Sequence, residues 1–377
     1  MSDHHIHVIA FTIPYPPNYG GVIDVYYKLV ALHRAGVKIH LHCYQYDRDP
    51  APELQEICHE VHYYPRKTGM ASARSLTPYI VQSRQEETLI ARLQKDKAPI
   101  LFEGLHSCFY IDDERLKGRD KIYRESNIEH RYYYHLFKAE PTMRKRLYFL
   151  TEAMKLKIFE NKLQHASLML VVSEEDRKYL KKRFPQKRVI HLPSFHANES
   201  FKGREGLGRY VLYHGNLSVA ENSKVATYIA THIAPDAAMP IILAGLNPNE
   251  KVRSAIAKSN NSILVANPSE EELNRLVANA HSHLMLTFQA TGLKLKLLNT
   301  LYQGRHIIAN SAMCSGTNIH QVVHLAENKE EVINTINRLK NIPFTPEERK
   351  KREETLNDFY TNTANARKLM ELIGVCP

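Results

Sequence analysis

The 377 residues carry 51 Lys and Arg against 40 Asp and Glu, a formal charge of +11, with 43% hydrophobic residues. Such a chain is long enough for two domains with real cores, has the composition of a soluble globular protein, and contains no apolar run near the roughly 20 residues that span a bilayer. Its five cysteines (Cys43, Cys58, Cys108, Cys314 and Cys376) are odd in number and lack CxxC spacing, which favours a reducing cytoplasm over a zinc cluster or disulfide frame.

The polar, His-rich stretch Met1 to His7 runs straight into an apolar strand and does not read as a signal peptide. Short apolar or β-branched runs then alternate with helical patterns, the signature of βαβ units and a mainly parallel sheet. Strands are expected near residues 7–11, 38–43, 60–64, 100–103, 121–124, 168–172 and 189–191, with the longest helix around 142–164. The polar, Gly-containing stretch from Pro193 to Gly208 reads as a linker. After it the alternation restarts, with strands expected near 210–214, 240–244, 262–265, 284–286 and 306–309 and a weaker one near 322–325. One helix is expected from Pro346 to about Ile373. The expected organisation is therefore two tandem α/β domains, residues 1–198 and 207–355, with the helix at about 356–377 returning to the first.

A net charge of +11 asks for an anionic partner: a phosphate-bearing cosubstrate, an acidic membrane surface or nucleic acid. No RNP, zinc-finger or homeodomain pattern is present, so nucleic acid is not expected. Basic residues concentrate in 144–146, 155–162 and 178–188. A solvated helix face is the simplest account of them. Leu147, Leu150, Met154 and Ile158 recur beside these cations at helical spacing, so peripheral contact of helix 142–164 with an anionic membrane is also expected.

Four segments could carry chemistry. Gly20 and Gly21, after Tyr15–Tyr19 and ahead of a helix, would let backbone and free N–H groups approach an anion; a plain tight turn explains them equally well. Gly215, Asn216 and Asn222 occupy the corresponding strand-to-helix loop of the second half, where Ser218 and Glu221 also fit a capping box. In the third segment Leu293, Leu297, Leu298 and Leu301 form a buried helical stripe stopped by Gly304. Lys294 and Lys296 sit in its first turns, where cations oppose the helix dipole unless an anion docks there. The fourth gathers Glu103 and His106 with Arg124, Ser126, Asn127, Glu129 and His130 at neighbouring strand ends. The pairs His40/His42 and His281/His283 have no third ligand at plausible spacing, so no metal is expected.

In this order the four segments resemble the retaining family-4 glycosyltransferases of the GT-B fold. Tyr15–Gly21 resembles their Tyr-x-Pro-x-x-x-Gly-Gly loop, Arg124–Glu129 their Arg-x-His-Asn-x-Glu segment, Gly215–Asn222 the start of their donor domain, and Gly292–Gly304 their Gly-x-Lys-x-Lys-x-x-Glu helix. The resemblance implies two facing Rossmann-like domains with parallel sheets, and transfer of a hexose with retention from a UDP- or GDP-sugar to a glycan or lipid-linked acceptor. It implies a nucleotide sugar as cosubstrate, no permanently bound cofactor and no metal. The implied catalytic residues are His106, Arg124, Glu129 and Lys296. The donor would meet Gly20, Gly21, Gly215, Asn216, Asn222, Thr291, Gly292, Leu293, Lys294, Lys296 and Asn299. The acceptor side would use Tyr19, Glu103, Ser126, Asn127 and His130. The diphosphate would lie between Gly20-Gly21 and Lys294/Lys296. The work would be done in the cytoplasm, at the inner face of the membrane, in polysaccharide or lipid-linked glycan assembly. Thr291 and Asn299 stand where the family has glutamates, Asn216 and Asn222 where it has Arg and Lys, and Ser126 where many members have His. A non-hydrolysing sugar-nucleotide epimerase, which shares the architecture, and a binding or scaffold protein that has lost activity are the alternatives.

Overall fold

The computed structural model describes residues 4–69, 72, 75–288 and 295–375. The chain divides into two compact units, Met1–His196 with Asn362–Pro377, and Ala197–Thr361. The first holds seven strands: β1 (His5–Ala10), β2 (Lys38–Gln45), β3 (Glu60–Pro65), β4 (Ile100–Glu103), β5 (Lys121–Glu125), β6 (Leu168–Val171) and β7 (Arg188–His191). They lie in the order β3-β2-β1-β4-β5-β6-β7, every pair parallel. The second unit holds β8 (Val211–Asn216), β9 (Ile241–Leu246), β10 (Ser262–Ala266), β11 (Ser282–Met285), β12 (His306–Ala309) and β13 (His324–Leu325). Their order is β10-β9-β8-β11-β12-β13, again all parallel. All thirteen expected strands are present, with ends shifted by a few residues at most.

Parallel strands are covered on both faces, so their side chains feed two cores alternately. Val8 and Ala10 pack with Leu41 and Leu29 on one face of the first sheet, whereas Ile9 packs with Phe102, Met169 and Leu156 on the other. In the second sheet Val211 and Tyr213 face one way and Leu212 the other.

Two helical expectations need correction. The segment from Pro346 is two helices, Pro346–Phe359 and Asn362–Leu372. Between them Tyr360 leaves the helical region (φ −132°, ψ 5°), and its hydroxyl oxygen accepts from the Asn318 amide at 3.1 Å. The second helix delivers Ala366, Leu369 and Met370 to the first unit's core, beside Leu29 and Leu32 of helix Gly20–Arg34. The long basic helix runs over Met143–Phe159 and tightens into a 3₁₀ turn at Glu160–His165. Among the described residues no helix is long and apolar enough to cross a membrane.

The histidines of the first sheet form a ladder across its strands. His7 of β1 stacks on His40 and His42 of β2, at 4.8 and 5.2 Å between ring centroids, and His42 stacks on His62 of β3 at 5.3 Å. Nδ1 of His7 meets Nε2 of His42 at 3.0 Å, and the outer nitrogen of His7 meets Asp96 at 3.0 Å. Burial outweighs that carboxylate and pushes His7 down to about 4; burial and the neighbouring rings push His42 well below its usual range. His7 and His42 are thus neutral in the folded chain where the unfolded chain, with histidines near 6.5, takes up protons. Stability is complete above pH 6.5 and declines as pH falls towards 4, by about 2 kcal/mol per such histidine at pH 5. The urea midpoint should therefore drop steeply between pH 7 and 5, and His7→Gln should flatten the slope. A midpoint constant over that range would contradict the neutral state of His7 and His42.

Candidate functional site

The carboxyl edge of the first sheet is built on a buried charge cluster. Arg124, at the end of β5, is fully enclosed; its Nε and Nη2 donate to the two oxygens of Asp24 at 3.2 and 3.1 Å. Its remaining donors reach the carbonyls of Leu192 (2.6 Å) and Pro193 (3.1 Å). Lys28, one helical turn after Asp24, donates to Asp24 at 3.1 Å and to Glu103 at 2.6 Å. Asp24 also accepts from the amide of Phe195 at 2.8 Å. Two cations and two carboxylates cancel, which is what permits such burial. Although burial works to raise Asp24, Arg124 and Lys28 hold it down to about 2. Arg124 and Glu103, expected to meet substrate, have their polar atoms taken up inside this cluster. Their visible work is to tie the chain leaving β7 to helix Gly20–Arg34.

Beside the cluster lies a more open group. Gly104, at the end of β4, adopts φ +71°, a conformation that costs a side chain strain, and turns the chain so that His106 follows in a 3₁₀ turn. The His106 ring lies 5.4 Å from that of Phe11. A Cβ on Gly21 would come within 2.9 Å of Phe11, so this glycine is what allows the aromatic ring to support His106. Nδ1 of His106 is 3.9 Å from Oε1 of Glu129 and has no hydrogen-bond partner. Burial, opposed by Arg84, pushes the Glu129 carboxyl up to about 8; burial with Arg84 and Arg66 pushes His106 well down. At neutral pH the pair is a protonated carboxyl and a neutral imidazole, able to give and to take a proton respectively. Arg84 had no signal in the sequence. It is buried, with Nε on the Phe11 carbonyl at 2.7 Å.

The other first-half residues are placed separately. Tyr19 precedes helix Gly20–Arg34, half-exposed, with the Arg48 guanidinium 5.1 Å from its ring centre. Arg48 also holds the Pro16 carbonyl at 2.7 Å and the Asn18 side chain, fixing the loop that ends at Gly20 and Gly21. Ser126 Oγ lies against Gly104, and the Asn127 amide donates to Glu125 at 2.9 Å. His130 Nδ1 stands 3.4 Å from a Glu160 oxygen without a hydrogen bond, and the other Glu160 oxygen accepts from the Tyr179 hydroxyl at 2.6 Å.

At the carboxyl edge of the second sheet, β8 ends in Gly215 and Asn216. Gly245 lies alongside so closely that a Cβ there would stand 1.7 Å from the Gly215 carbonyl oxygen. Asn216 Oδ1 accepts from the Ser218 amide (3.1 Å) and hydroxyl (2.7 Å), and Asn222 Nδ2 donates to the Asn216 carbonyl at 3.0 Å. Ser218 is not an N-cap: the helix runs Ala220–Tyr228 behind Val219, without a side-chain cap. Glu221 instead reaches the end of β11, accepting from Thr287 Oγ1 at 2.9 Å and the Phe288 amide at 2.6 Å. The capping-box pattern concealed this role, because the partners lie 66 and 67 positions away.

Helix Leu295–Gln303 buries Leu297, Leu298 and Leu301, and carries Lys296 with its ammonium 4.3 Å from the Tyr213 ring centre. Next to it burial, then the Lys296 charge, pushes His214 down to about 3; its Nε2 is 3.2 Å from Thr300 Oγ1. Asn299 Oδ1 accepts from Asn198 at 2.7 Å, and Gln303 holds the same Asn198 at 3.1 Å. Expected to meet the donor, Asn299 has its side-chain oxygen joined to the segment that opens this unit. Thr291, Gly292, Leu293 and Lys294 lie outside the described residues.

No family model matches the chain. An uncharacterised 44.6 kDa protein in the cps region of Klebsiella pneumoniae is 26% identical over 358 residues, 89% of this chain and 91% of that protein. Among solved structures, TarM superposes with a TM-score of 0.68 at 9% identity, covering 98% of both chains. HepE of Anabaena in complex with UDP gives 0.66 at 11% identity over 98% of this chain and 99% of that one. Sucrose-phosphate synthase of Thermosynechococcus elongatus gives 0.64 at 13% identity over 98% of each. The chain has the GT-B fold, with both parallel sheets included in the match.

Proposed function

We propose that this chain is a glycosyltransferase that moves a hexose from a UDP- or GDP-sugar to a glycan or lipid-linked acceptor, with retention and without a metal in the transfer step. The full-length GT-B likeness carries the reading, since it includes a protein solved with UDP and a sugar. The second unit would take the nucleotide at Gly215, Asn216 and Asn222, with Lys296 and the segment Thr291–Lys294 toward the diphosphate. Asn299 would border this site through its amide. Gly20 and Gly21 would open an anion-binding edge of the first unit, which would hold the acceptor near Tyr19, Ser126 and Asn127, with His106 and Glu129 as the groups nearest the chemistry and His130 at its margin. Arg124 and Glu103 would act by fixing that edge.

In a front-face transfer the bond from the anomeric carbon to the diphosphate oxygen breaks as the acceptor oxygen bonds to the same carbon. The acceptor proton passes to the departing oxygen, so no dedicated base is required. The energetic need is for fixed cations and N–H groups around that oxygen. Calorimetry with a panel of UDP- and GDP-sugars should show one nucleotide bound, and product should form only when acceptor is added. Release of an epimer without acceptor would identify an epimerase instead, and no binding to any nucleotide would favour a scaffold.

The acceptor side would work against a membrane at the cytoplasmic face. Helix Met143–Phe159 leaves Met143, Leu147, Met154 and Ile158 exposed among Arg144, Lys145 and Lys157, whereas Leu150 is half-buried. Apolar side chains beside cations suit an anionic lipid surface. The protein should co-sediment with phosphatidylglycerol vesicles and not with phosphatidylcholine. Leu147→Glu with Ile158→Glu should abolish this; equal sedimentation with both lipids would refute the charge-dependent contact.

A further inference from the structure

Among the described residues one group of three ligand-bearing side chains converges: His306, His324 and Glu348. It lies away from the chemistry described above. His306 and His324 are the first residues of β12 and β13, at the amino edge of the second sheet, while Gly215, Asn216 and Thr287 lie at its carboxyl edge. Glu348 stands in the first turn of helix Pro346–Phe359.

His306 and Glu348 each turn a lone pair toward the other members of the group. His306 Nε2 meets the Ile342 carbonyl at 3.0 Å; a carbonyl only accepts, so Nε2 carries the hydrogen and Nδ1 the lone pair. That Nδ1 is 3.3 Å from His324 Nε2 and 3.7 Å from Glu348 Oε1. The second oxygen of Glu348 accepts from the Thr345 amide at 2.9 Å in a capping box, which fixes the carboxylate with Oε1 turned to the histidines. His306 is fully buried. His281, edge-on to it at 5.2 Å, is occupied at both nitrogens, by Gly208 and Leu339, and takes no part.

Donor atoms around a tetrahedral ion with bonds of about 2.0–2.1 Å stand about 3.3 Å apart. The two measured separations match that edge with a few tenths of an ångström to spare. A histidine ligand whose other nitrogen donates to a backbone carbonyl, and a carboxylate whose other oxygen is held by an amide, are the supports such ions use. Arg352, whose charge bears on both histidines, turns its guanidinium to the carbonyls of Gly304 and Arg305 at 2.7 and 2.6 Å, and Arg338 bears on His324.

We propose that His306, His324 and Glu348 bind one Zn²⁺, with water in the fourth position, and that the ion ties the amino edge of the second sheet to helix Pro346–Phe359. Two imidazoles and a carboxylate suit zinc and its neighbours among the first-row divalent ions, not Ca²⁺ or Mg²⁺. The site is independent of the sugar-transfer reading.

The test uses the full chain, stripped with a chelator and titrated with Zn²⁺ against a chromophoric competitor, and with Co²⁺ by visible absorption. One tight equivalent per chain is expected, with the intense bands of four-coordinate Co²⁺ and a Tm raised by several degrees. His324→Gln and Glu348→Gln, both at partly exposed positions, should each weaken that equivalent at least about tenfold and lose the Tm rise. A wild-type chain with no tight equivalent, or one whose Zn²⁺ affinity and Tm rise survive both substitutions, would overturn the proposal. The second outcome would place the metal on other histidines.

Discussion

Asp24→Asn should lower the unfolding free energy by about 3–5 kcal/mol, the cost of breaking a buried ion pair by removing one partner. Asparagine keeps an oxygen for the Phe195 amide, so the substitution removes charge and little else. It leaves Arg124, fully enclosed, and Lys28, 1% exposed, sharing the single carboxylate of Glu103. Both cations are buried, so neither is hydrated in the folded chain. Urea denaturation at pH 7 measures the loss. The double change Asp24→Asn with Lys28→Met restores neutrality and should recover part of it. A single variant within 1 kcal/mol of wild type would mean that the cluster is hydrated and that its burial does not govern stability. The carboxylate is held near 2, so its contribution is complete above its ordinary range near 3.8 and fades only as pH falls toward 2.

Lys296→Ala should cut transfer by about 100-fold or more, the loss seen when one fixed group facing developing oxyanion charge is removed. The effect should fall on kcat more than on KM, because the charge it answers grows as the diphosphate departs. The fold should survive: Lys296 is half-buried on a helix whose packing rests on Leu297, Leu298 and Leu301. An internal check is available, since the Lys296 ammonium helps to depress His214. In the variant the His214 pKa, followed by NMR, should move up from about 3. A loss of less than tenfold, under about 1.4 kcal/mol, would remove Lys296 from the transfer step.

The architecture was open to reading because buried parallel strands advertise themselves as short apolar runs. Residues such as Ile100–Glu103 and His306–Ala309 match expectation to the residue. Side-chain roles were less legible wherever partners are far apart in the chain. Arg124 looks like a substrate-binding residue until Asp24, 100 positions earlier, and the carbonyls of Leu192 and Pro193 take its donors. Glu221 looks like a helix cap because its true partner, the end of β11, cannot be inferred from local spacing. The same limit hid the pairing of His306 with His324, whose strands are neighbours in the sheet and 18 residues apart in sequence. His106 and Glu129 were legible because each follows a strand end that the pattern of the chain already placed at one edge.

The break at Tyr360 has a consequence for how the polypeptide is made. The helix that completes the first unit's core, with Ala366, Leu369 and Met370 against Leu29, leaves the ribosome only after all of Ala197–Thr361. Synthesis therefore presents the first unit with its helix-facing apolar groove bare while the second unit already has its whole sheet. The earlier-made unit cannot complete its core until the later-made one has been synthesised, and its groove stays open to chaperones or to mispairing until then.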